Sequence, residues 1–306
     1  MKLSIIIVSF NTESFLRQCL TAVYGTHSLG SCEVIVVDNN SSDHSCSMIR
    51  EDFPDVRLIE SRDNEGFAKA NNKGFHIAQG DYILLLNSDT KIQGKALEAM
   101  IDYLDNNPDA GIVTSRLVYP DLTDQGVARS FPSPVNALFG RRSLLTKMFP
   151  NNRYSKKYLL SRKTSSSEPF EVDWVSGACL MIRRTVIDQV GFLDENYFMY
   201  WEDADLCYRA KNAGWKVFCI PEALVIHYEG KSSQGRQSSR LIMEFNKSVY
   251  RFYRKHYITS SLNAMNILAI VGLSMRTVFM IAGNMLARKF IHTNQRRKEV
   301  IYEQRH

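Results

Sequence analysis

The chain has 306 residues, of which 44% are hydrophobic, and a formal net charge of +6 at neutral pH. This length suits one large domain or one domain with an appendage, and the hydrophobic content is ordinary for a globular protein rather than a disordered one. The charge is unevenly spread, because residues 141–163 carry eight positive side chains and no acidic one. Such a stretch favours an anionic partner, namely a phosphate, a nucleic acid or an anionic membrane surface, or is a solvated loop.

The first half of the chain alternates short apolar runs with helically spaced segments. The apolar runs predict strands at residues 3–8, 34–37, 56–59, 82–86 and 111–113. Helical spacing predicts helices between them at residues 12–23, 47–50, 67–78 and 96–104. Repeated strand–helix units of this kind predict a mostly parallel sheet covered by helices, with right-handed crossovers.

The second half of the chain is less regular. After residue 119, scattered prolines, the basic stretch and three consecutive serines predict long loops. Order returns at the apolar residues 172–182, before a helix predicted at 202–213 and a strand at 216–220. The six cysteines have no paired ligand spacing and indicate free thiols in a reducing compartment. The N-terminal apolar run lacks a cleavage site, so it is predicted to be the first strand rather than a signal peptide.

Two of the predicted strands end in an aspartate. Asp89 ends the segment Asn87-Ser88-Asp89, which follows the apolar run at 82–86, and Asp38 directly follows the strand predicted at 34–37. A carboxylate at this end of a strand lies at the edge of an α/β sheet where ligands bind. Asp89 can therefore hold a divalent cation, and Asp38 can accept hydrogen bonds from a nucleobase imide or a ribose. The structural alternatives are a helix cap at Asp89 and a turn closed by Asp38.

The start of the helix predicted at 67–78 has features of an anion site. Gly66 permits close backbone approach, the helix N-terminus favours a phosphate, and Lys69 or Lys73 can add positive charge. Asn64 can equally be a helix cap and Gly66 a turn residue. The chain has no Gly-x-Gly-x-x-Gly and no Walker lysine motif, which argues against a dinucleotide oxidoreductase and a P-loop enzyme.

Acidic residues open the helix predicted at 202–213. Glu202 and Asp203 complement the helix dipole there, as structural acids do. Asp203 also lies beside aromatic residues, where an ionised carboxylate can deprotonate a sugar hydroxyl. His227 follows an apolar run and is either a core or turn histidine or the residue that completes a metal site with Asp89.

Seven segments, taken in order, resemble the family-2 inverting glycosyltransferases, which have the GT-A nucleotide-sugar-binding fold. They lie at residues 8–11, 37–43, 64–74, 87–89, 174–178, 202–206 and 227–232. The resemblance extends most closely to the bacterial rhamnosyltransferases, which build surface polysaccharides on polyprenyl diphosphate carriers. It implies an α/β fold of the GT-A type, with a mostly parallel central sheet flanked by helices.

The resemblance implies a donor site and a metal. Asp38 would contact the base or ribose of the nucleotide sugar, and the pocket around the nucleotide would be lined by Ser9, Asn64, Gly66 and Lys69. Asp89 would hold Mg²⁺ or Mn²⁺ against the donor diphosphate, with His227 as a second ligand. The metal motif reads Asn-Ser-Asp instead of Asp-x-Asp, so Asp89 is its only acid, and metal affinity is expected to depend on bound donor.

The resemblance also implies the chemistry. Asp203 would be the catalytic base, and the acceptor-site candidates are Trp174, Gly177, Trp201 and Glu202. The expected activity is inverting transfer of L-rhamnose from dTDP-rhamnose to a sugar hydroxyl of a lipid-diphosphate-linked saccharide. The alternatives are a UDP-sugar donor of galactose, galactofuranose or N-acetylglucosamine, and a nucleotide-sugar-binding subunit without turnover. Nucleic acid is not an expected partner, and assembly into a homo-oligomer stays open.

The chain is expected to have a catalytic domain and a C-terminal appendage. Residues 1–257 are the predicted glycosyltransferase domain, with a donor half at 1–115 and an acceptor half at 116–257. Residues 258–287 form an apolar segment whose one charge is Arg276, and a basic tail follows. The segment could span a bilayer, lie on anionic lipid as an in-plane or hairpin anchor, or pack as helices on protein. Peripheral or monotopic association with the cytoplasmic face of the plasma membrane is expected, with the basic stretch at 141–163 meeting lipid or the carrier diphosphate.

Overall fold

A computed structural model describes residues 1–26, 32–126, 129–131, 148, 168–228, 239–258, 266–267 and 269–285. The chain divides into two compact units. The first unit comprises Met1–Phe198 and Glu202–Gly235, and the second comprises Met199–Trp201 and Arg236–His306. The basic stretch at 141–163, apart from Met148, and the tail from residue 286 lie outside the described residues.

The first unit confirms the alternation of strands and helices that the sequence predicts. In chain order its elements are β1 (Leu3–Ser9), α1 (Glu13–Tyr24), β2 (Cys32–Asp38), α2 (Ser45–Asp52), β3 (Arg57–Glu60), α3 (Phe67–Ile77), β4 (Tyr82–Asn87), β5 (Thr90–Ile92), α4 (Ala96–Asn106), β6 (Ala110–Val118), β7 (Phe170–Val172), β8 (Cys179–Arg183), α5 (Arg184–Val190), α6 (Glu202–Asn212) and β9 (Lys216–His227).

The strands of the described chain form one mixed sheet in the order β3-β2-β1-β4-β8-β6-β9-β5, with β7 paired to β9. The first four strands are parallel, as predicted, whereas β8 runs antiparallel to both β4 and β6. The parallel pairing of β6 with β9 also agrees with the expected sheet, which β8 interrupts as an antiparallel strand. The reversal arises because the chain re-enters the sheet beside the carboxyl end of β4, where Asn87 N–H donates to the carbonyl of Ala178 at 3.0 Å. From that edge β8 can only run back toward the start of β4.

Alternate side chains of β1 pack on opposite faces of the sheet, as the strand periodicity requires. Ile5 and Ile7 join the core that α1, α2 and α4 cover. Ile6 faces α3, where a Cβ on Gly74 would lie 2.5 Å from Cγ2 of Ile6, so only glycine lets the helix approach this closely. Full burial on both faces explains the continuous apolar runs of β1, β2 and β4, and each buried aliphatic side chain contributes about 1.5–3 kcal/mol to stability.

The second unit is built on α7 (Ser239–His256). Within this unit Ser248 Oγ donates to the carbonyl of Met199 at 3.0 Å, and the rings of Trp201 and Phe252 lie 5.2 Å apart. Arg276 donates to Asn246 Oδ1 at 3.2 Å. The helix α7 thus groups with the C-terminal segment, whereas the sequence placed the boundary after residue 257. In the part of the chain that is described, no helix is both long enough and apolar enough to cross a membrane.

Candidate active site

The carboxyl ends of β1, β2 and β4 meet at one edge of the sheet. Ser9 pairs with Asp38 in the β1–β2 register, and Val8 pairs with Asn87 in the β1–β4 register. The two loops that follow β1 and β2 brace each other, because Asn11 Oδ1 accepts a hydrogen bond from the backbone N–H of Ser42 at 2.7 Å. This edge therefore carries several of the residues that the sequence predicts for a donor site.

Asp38 is almost fully buried at this edge and has one uncommitted oxygen. Its Oδ2 accepts the backbone N–H of Ser41 at 2.8 Å, while Oδ1 is buried and accepts no well-formed hydrogen bond from a described residue. The thiol of Cys46 lies close by. Burial, together with the negative charges of Asp38 and Glu60, raises the pKa of Cys46 to about 12. A buried acceptor without a donor costs about 1–3 kcal/mol, so a ligand N–H or O–H at Oδ1 would be favoured.

The loop between β3 and α3 is organised by Asn39. The Nδ2 of Asn39 donates to Asn64 Oδ1 at 3.0 Å and to the carbonyl of Gly66 at 3.1 Å, and its Oδ1 accepts the N–H of Glu65 at 3.0 Å. Asn39 lies in the segment 37–43 that carries the family resemblance, but the sequence assigned it no role. Through these three hydrogen bonds, the side chain amide of Asn39 holds Asn64 and Gly66 beside Asp38.

Gly66 is required by both backbone conformation and space. Its φ is 87°, and a Cβ there would lie 2.2 Å from the carbonyl oxygen of Phe198. The next residue, Phe67, donates its N–H to that same carbonyl at 2.6 Å. The predicted turn at Gly66 therefore joins the start of α3 to the segment that precedes α6.

Ser9 and Lys69 are both engaged within the protein. Ser9 is fully buried, and its Oγ lies 3.0 Å from Oγ1 of Thr12. Lys69 Nζ lies 2.8 Å from Glu65 Oε1, and hydrogen bonds from Lys69 and Lys73 lower the pKa of Glu65. The predicted pocket-lining roles of Ser9 and Lys69 remain predictions, and Lys69 would have to share its charge between Glu65 and a ligand.

Asp89 and His227 lie side by side because β5 pairs with β9. Thr90 is the register partner of His227, and the carbonyl of Asp89 accepts the N–H of Tyr228 at 2.9 Å. Across this pairing His227 Nε2 lies 3.2 Å from Asp89 Oδ1. The contact that the sequence proposed between these two residues is therefore present.

Gln125 selects the tautomer of His227. Its Nε2 donates to the carbonyl of His227 at 2.7 Å, which leaves Oε1 to accept from the ring Nδ1–H at 2.8 Å. In the neutral ring the proton then sits on Nδ1, and Nε2 is an acceptor that lies 3.2 Å from Asp89 Oδ1 and 3.5 Å from Nδ2 of Asn87. Two acceptors facing each other need a cation or a proton between them. Two ligands of one Mg²⁺ ion at right angles are about 3 Å apart, so the pair fits a metal.

The described residues contain no group of three or more His, Cys, Asp or Glu side chains that could enclose a metal. Asp89 and His227 would thus supply two ligands, and the remaining positions suit oxygens of a diphosphate, which is how Mg²⁺ is commonly bound. That metal affinity depends on bound donor stays a prediction.

Asp203 stands at the N-terminus of α6, against the loop that precedes β8. Its Oδ2 accepts the N–H of Gly177 at 2.9 Å, and its Oδ1 accepts the N–H of Ala204 at 2.7 Å. Gly177 is followed by Ala178, whose carbonyl bonds to Asn87, two residues before Asp89. One backbone segment thus separates the predicted base from the predicted metal ligand.

Glu202 and Asp203 titrate as an interacting pair. Burial raises the pKa of both carboxyls, and the neighbouring Asp203 adds to the rise at Glu202, whose pKa lies well above its usual range. The N–H donors of Gly177 and Ala204, and the charge of Arg129, oppose the rise at Asp203. Glu202 Oε2 is buried and has no hydrogen-bond partner among the described residues. We therefore assign the proton to Glu202 and the negative charge to Asp203.

The other acceptor-site candidates fall in two places. Trp174 is buried, its Nε1 donates to the carbonyl of Ser130 at 3.1 Å, and the guanidinium of Arg129 lies 4.7 Å from the centre of its ring. Nothing in the local sequence marks Arg129. Trp201 belongs to the second unit, where it and Tyr200 have positive φ angles of 73° and 71°.

The first unit carries, at this edge of the sheet, the unpaired Oδ1 of Asp38, the Asp89–His227 pair that fits a metal, and the carboxylate of Asp203. Those groups suit a nucleotide diphosphate ligand and the deprotonation of a hydroxyl. The model of the family "Glycosyl transferase family 2" matches residues 4–191.

Two relatives and one solved structure agree with this match. The N-acetylglucosaminyl-diphospho-decaprenol L-rhamnosyltransferase of Mycobacterium tuberculosis is 32% identical over 232 residues, covering 72% of this chain and 73% of the relative. The dTDP-rhamnosyl transferase RfbF of Shigella flexneri is 24% identical, covering 81% of this chain and 76% of the relative. Mannosyltransferase PcManGT from Pyrobaculum calidifontis, solved with GDP-Man and Mn²⁺, has a TM-score of 0.57 at 15% identity, covering 94% of this chain and 73% of that chain. This last similarity concerns the fold, which confirms the GT-A prediction.

Proposed function

This chain belongs to glycosyl transferase family 2, and we propose that it transfers L-rhamnose from dTDP-rhamnose to a sugar hydroxyl of a saccharide carried on a polyprenyl diphosphate. That the chain is a glycosyltransferase follows from the family. The donor is proposed because relatives at 32% and 24% identity carry the names of an L-rhamnosyltransferase and a dTDP-rhamnosyl transferase. The lipid-diphosphate acceptor is proposed because the name of the former specifies one.

The observation that carries the proposal is the juxtaposition of Asp203 with the Asp89–His227 pair across one backbone segment. Gly177 N–H holds Asp203, and the adjoining Ala178 bonds to Asn87 beside Asp89. Transfer with inversion needs a base on the acceptor side and charge neutralisation on the leaving-group side of the same reacting carbon. A single short segment between the two groups meets that need.

Each residue has a role in this proposal. Asp38 Oδ1 accepts a hydrogen bond from the donor base or ribose, and Asn39 holds the loop that borders the nucleotide. Asp89 and His227 would hold Mg²⁺ or Mn²⁺, which would supply positive charge against the diphosphate of the donor. The carboxylate of Asp203 takes the proton of the acceptor hydroxyl. Glu202 stays protonated, so that no second negative charge lies beside the carboxylate of Asp203.

We also propose peripheral association with the cytoplasmic face of the plasma membrane. Residues 269–285 are helical, and within the second unit Arg276 is turned to Asn246 and to the ring of Phe245. Large apolar side chains of the same helix are exposed, among them Val278 at 66% and Phe279 at 70%. An apolar helix surface followed in sequence by a basic tail is typical of proteins that lie on anionic lipid.

The activity is tested by nucleoside diphosphate release from a panel of dTDP- and UDP-sugars. The acceptor is N-acetylglucosamine linked through a diphosphate to farnesol, with Mg²⁺, Mn²⁺ or EDTA. We expect metal-dependent release with dTDP-rhamnose alone. The Asp203→Asn variant should bind donor normally and lose transfer by roughly 10²–10⁴-fold, the usual contribution of a general base. Release with a UDP-sugar instead would reject the rhamnose donor, and full activity of the Asn variant would reject Asp203 as the base.

A further inference from the structure

The short segment at residues 129–131 is fastened beside the catalytic base. Arg129 and Trp174 exchange two backbone hydrogen bonds of 3.1 Å. The N–H of Phe131 donates to Asp173 Oδ2 at 2.8 Å, and the ring of Phe131 lies 5.0 Å from that of Tyr208 on α6, the helix that starts with Glu202 and Asp203. The segment is thus held at both the Trp174 loop and the catalytic helix.

This arrangement places the Arg129 side chain near Asp203. Trp174 comes three residues before Gly177, whose N–H is bonded to Asp203, and three residues span at most about 11 Å. The guanidinium lies over the Trp174 ring. The positive charge of Arg129 also lowers the pKa of Asp203, in agreement with the short separation.

Arg129 acts on the Asp203 carboxyl without forming a salt bridge in the described part of the chain. No ion pair joins it to a described acid, and its one side chain hydrogen bond there is a long one of 3.4 Å from Nε to the carbonyl of Gly126. An arginine stacked on tryptophan keeps its planar fork in one orientation while its terminal N–H groups stay available. Such a fork matches the paired oxygens of a phosphate.

We propose that Arg129 is the anion subsite of the acceptor and that its guanidinium binds the diphosphate next to the sugar that Asp203 deprotonates. The inference rests on the proposed function, whose acceptor carries a diphosphate. In this proposal the reacting hydroxyl and the diphosphate belong to the same sugar residue. The enzyme therefore acts directly after the reaction that attaches the first sugar phosphate to the lipid carrier.

The test compares two acceptors that differ in charge. One is N-acetylglucosamine diphosphofarnesol and the other is the neutral octyl glycoside of the same sugar. We expect Arg129→Gln to raise the ratio of the KM for the diphosphate probe to the KM for the octyl glycoside about tenfold or more, measured at a pH above the acidic limb of the kcat profile, since loss of the Arg129 charge also raises the pKa of Asp203. Arg129→Lys keeps the positive charge without the planar guanidinium. Its KM for the diphosphate probe should lie between those of the wild type and Arg129→Gln.

The matched control is Lys2→Gln, which removes one positive charge at the amino end of β1, the opposite edge of the sheet. It should leave both KM values unchanged. Equal losses on the two probes, with the acidic limb of the kcat profile displaced, would show that Arg129 acts only through Asp203 and would overturn the subsite. An unchanged KM for the diphosphate probe would overturn it as well.

Calorimetric binding of the diphosphate probe separates failure of this inference from failure of the proposed function. If the wild-type protein transfers no rhamnose but binds the probe, and Arg129→Gln does not bind it, the subsite stands and the reaction is rejected. If wild type and Arg129→Gln bind the probe equally, the subsite is rejected whatever the reaction. Circular dichroism and melting temperature of each variant establish that it is folded.

Discussion

Replacing Gln125 by leucine should weaken metal binding without touching a metal ligand. Gln125 is buried, receives the Nδ1–H of His227 at 2.8 Å and donates to the carbonyl of the same residue at 2.7 Å. Leucine removes both bonds, and each contributes about 0.5–1.5 kcal/mol. Both bonds also form without metal, so only the part that fixes the tautomer and orientation of His227 affects binding, and the loss is at most about 1–3 kcal/mol, or roughly 5- to 150-fold in affinity. That range agrees with the roughly 10–100-fold effect of removing partners of metal-binding histidines.

The assay is direct Mn²⁺ binding in the presence of thymidine diphosphate, followed by water-proton relaxation, with the Mn²⁺ dependence of turnover as a second measurement. Gln125→Glu serves as the matched variant because it keeps an acceptor for Nδ1 and should lose less affinity than Gln125→Leu. Asp89→Asn removes a proposed metal ligand and should therefore have the lowest Mn²⁺ affinity of the series. If Gln125→Leu binds Mn²⁺ within twofold of wild type while remaining folded, His227 does not need its fixed tautomer, and its assignment as a ligand is refuted.

Three further predictions concern a glycine, a buried acid and the C-terminal helix. Gly66→Ala should lower the free energy of unfolding by more than about 2 kcal/mol, because it adds a clash with Phe198 to a backbone strain of about 1–3 kcal/mol. The control in thermal melts is Gly94→Ala, because Gly94 has a φ of 52° but open space around its Cβ position. Equal destabilisation by the two substitutions would contradict the clash. Glu202 has a raised folded-state pKa, so its contribution to stability falls as pH rises above about 4.3, the unfolded value. Glu202→Gln should gain melting temperature over wild type between pH 5 and pH 8, and a constant difference would argue against a protonated Glu202. Val278→Asn with Phe279→Asn should reduce co-flotation with anionic liposomes more than Lys247→Gln does, and equal flotation would reject the membrane surface.

The sequence alone placed the strand-end aspartates and the helix α6, which begins with the proposed base. Asp38 and Asp89 were recognisable because a buried parallel strand is a continuous apolar run, and its carboxyl end faces the ligand edge of the sheet. Asp203 was recognisable because acids and a helical pattern follow aromatic residues there. These signals are local, since each depends on fewer than about a dozen neighbouring residues.

Only the tertiary structure disclosed the residues that position those groups. Gln125 meets His227 across 102 positions of sequence, and Asn72 donates to the carbonyl of Leu193 across 121 positions. Phe131, in a segment that carries no motif, contacts Tyr208 of α6, and β8 reverses the sheet that the first half predicts as parallel. Such contacts depend on strand register and on how distant loops return to one edge of the sheet. Spacing along the chain does not encode that register, because a shift of one residue reverses every side chain while leaving the local pattern unchanged.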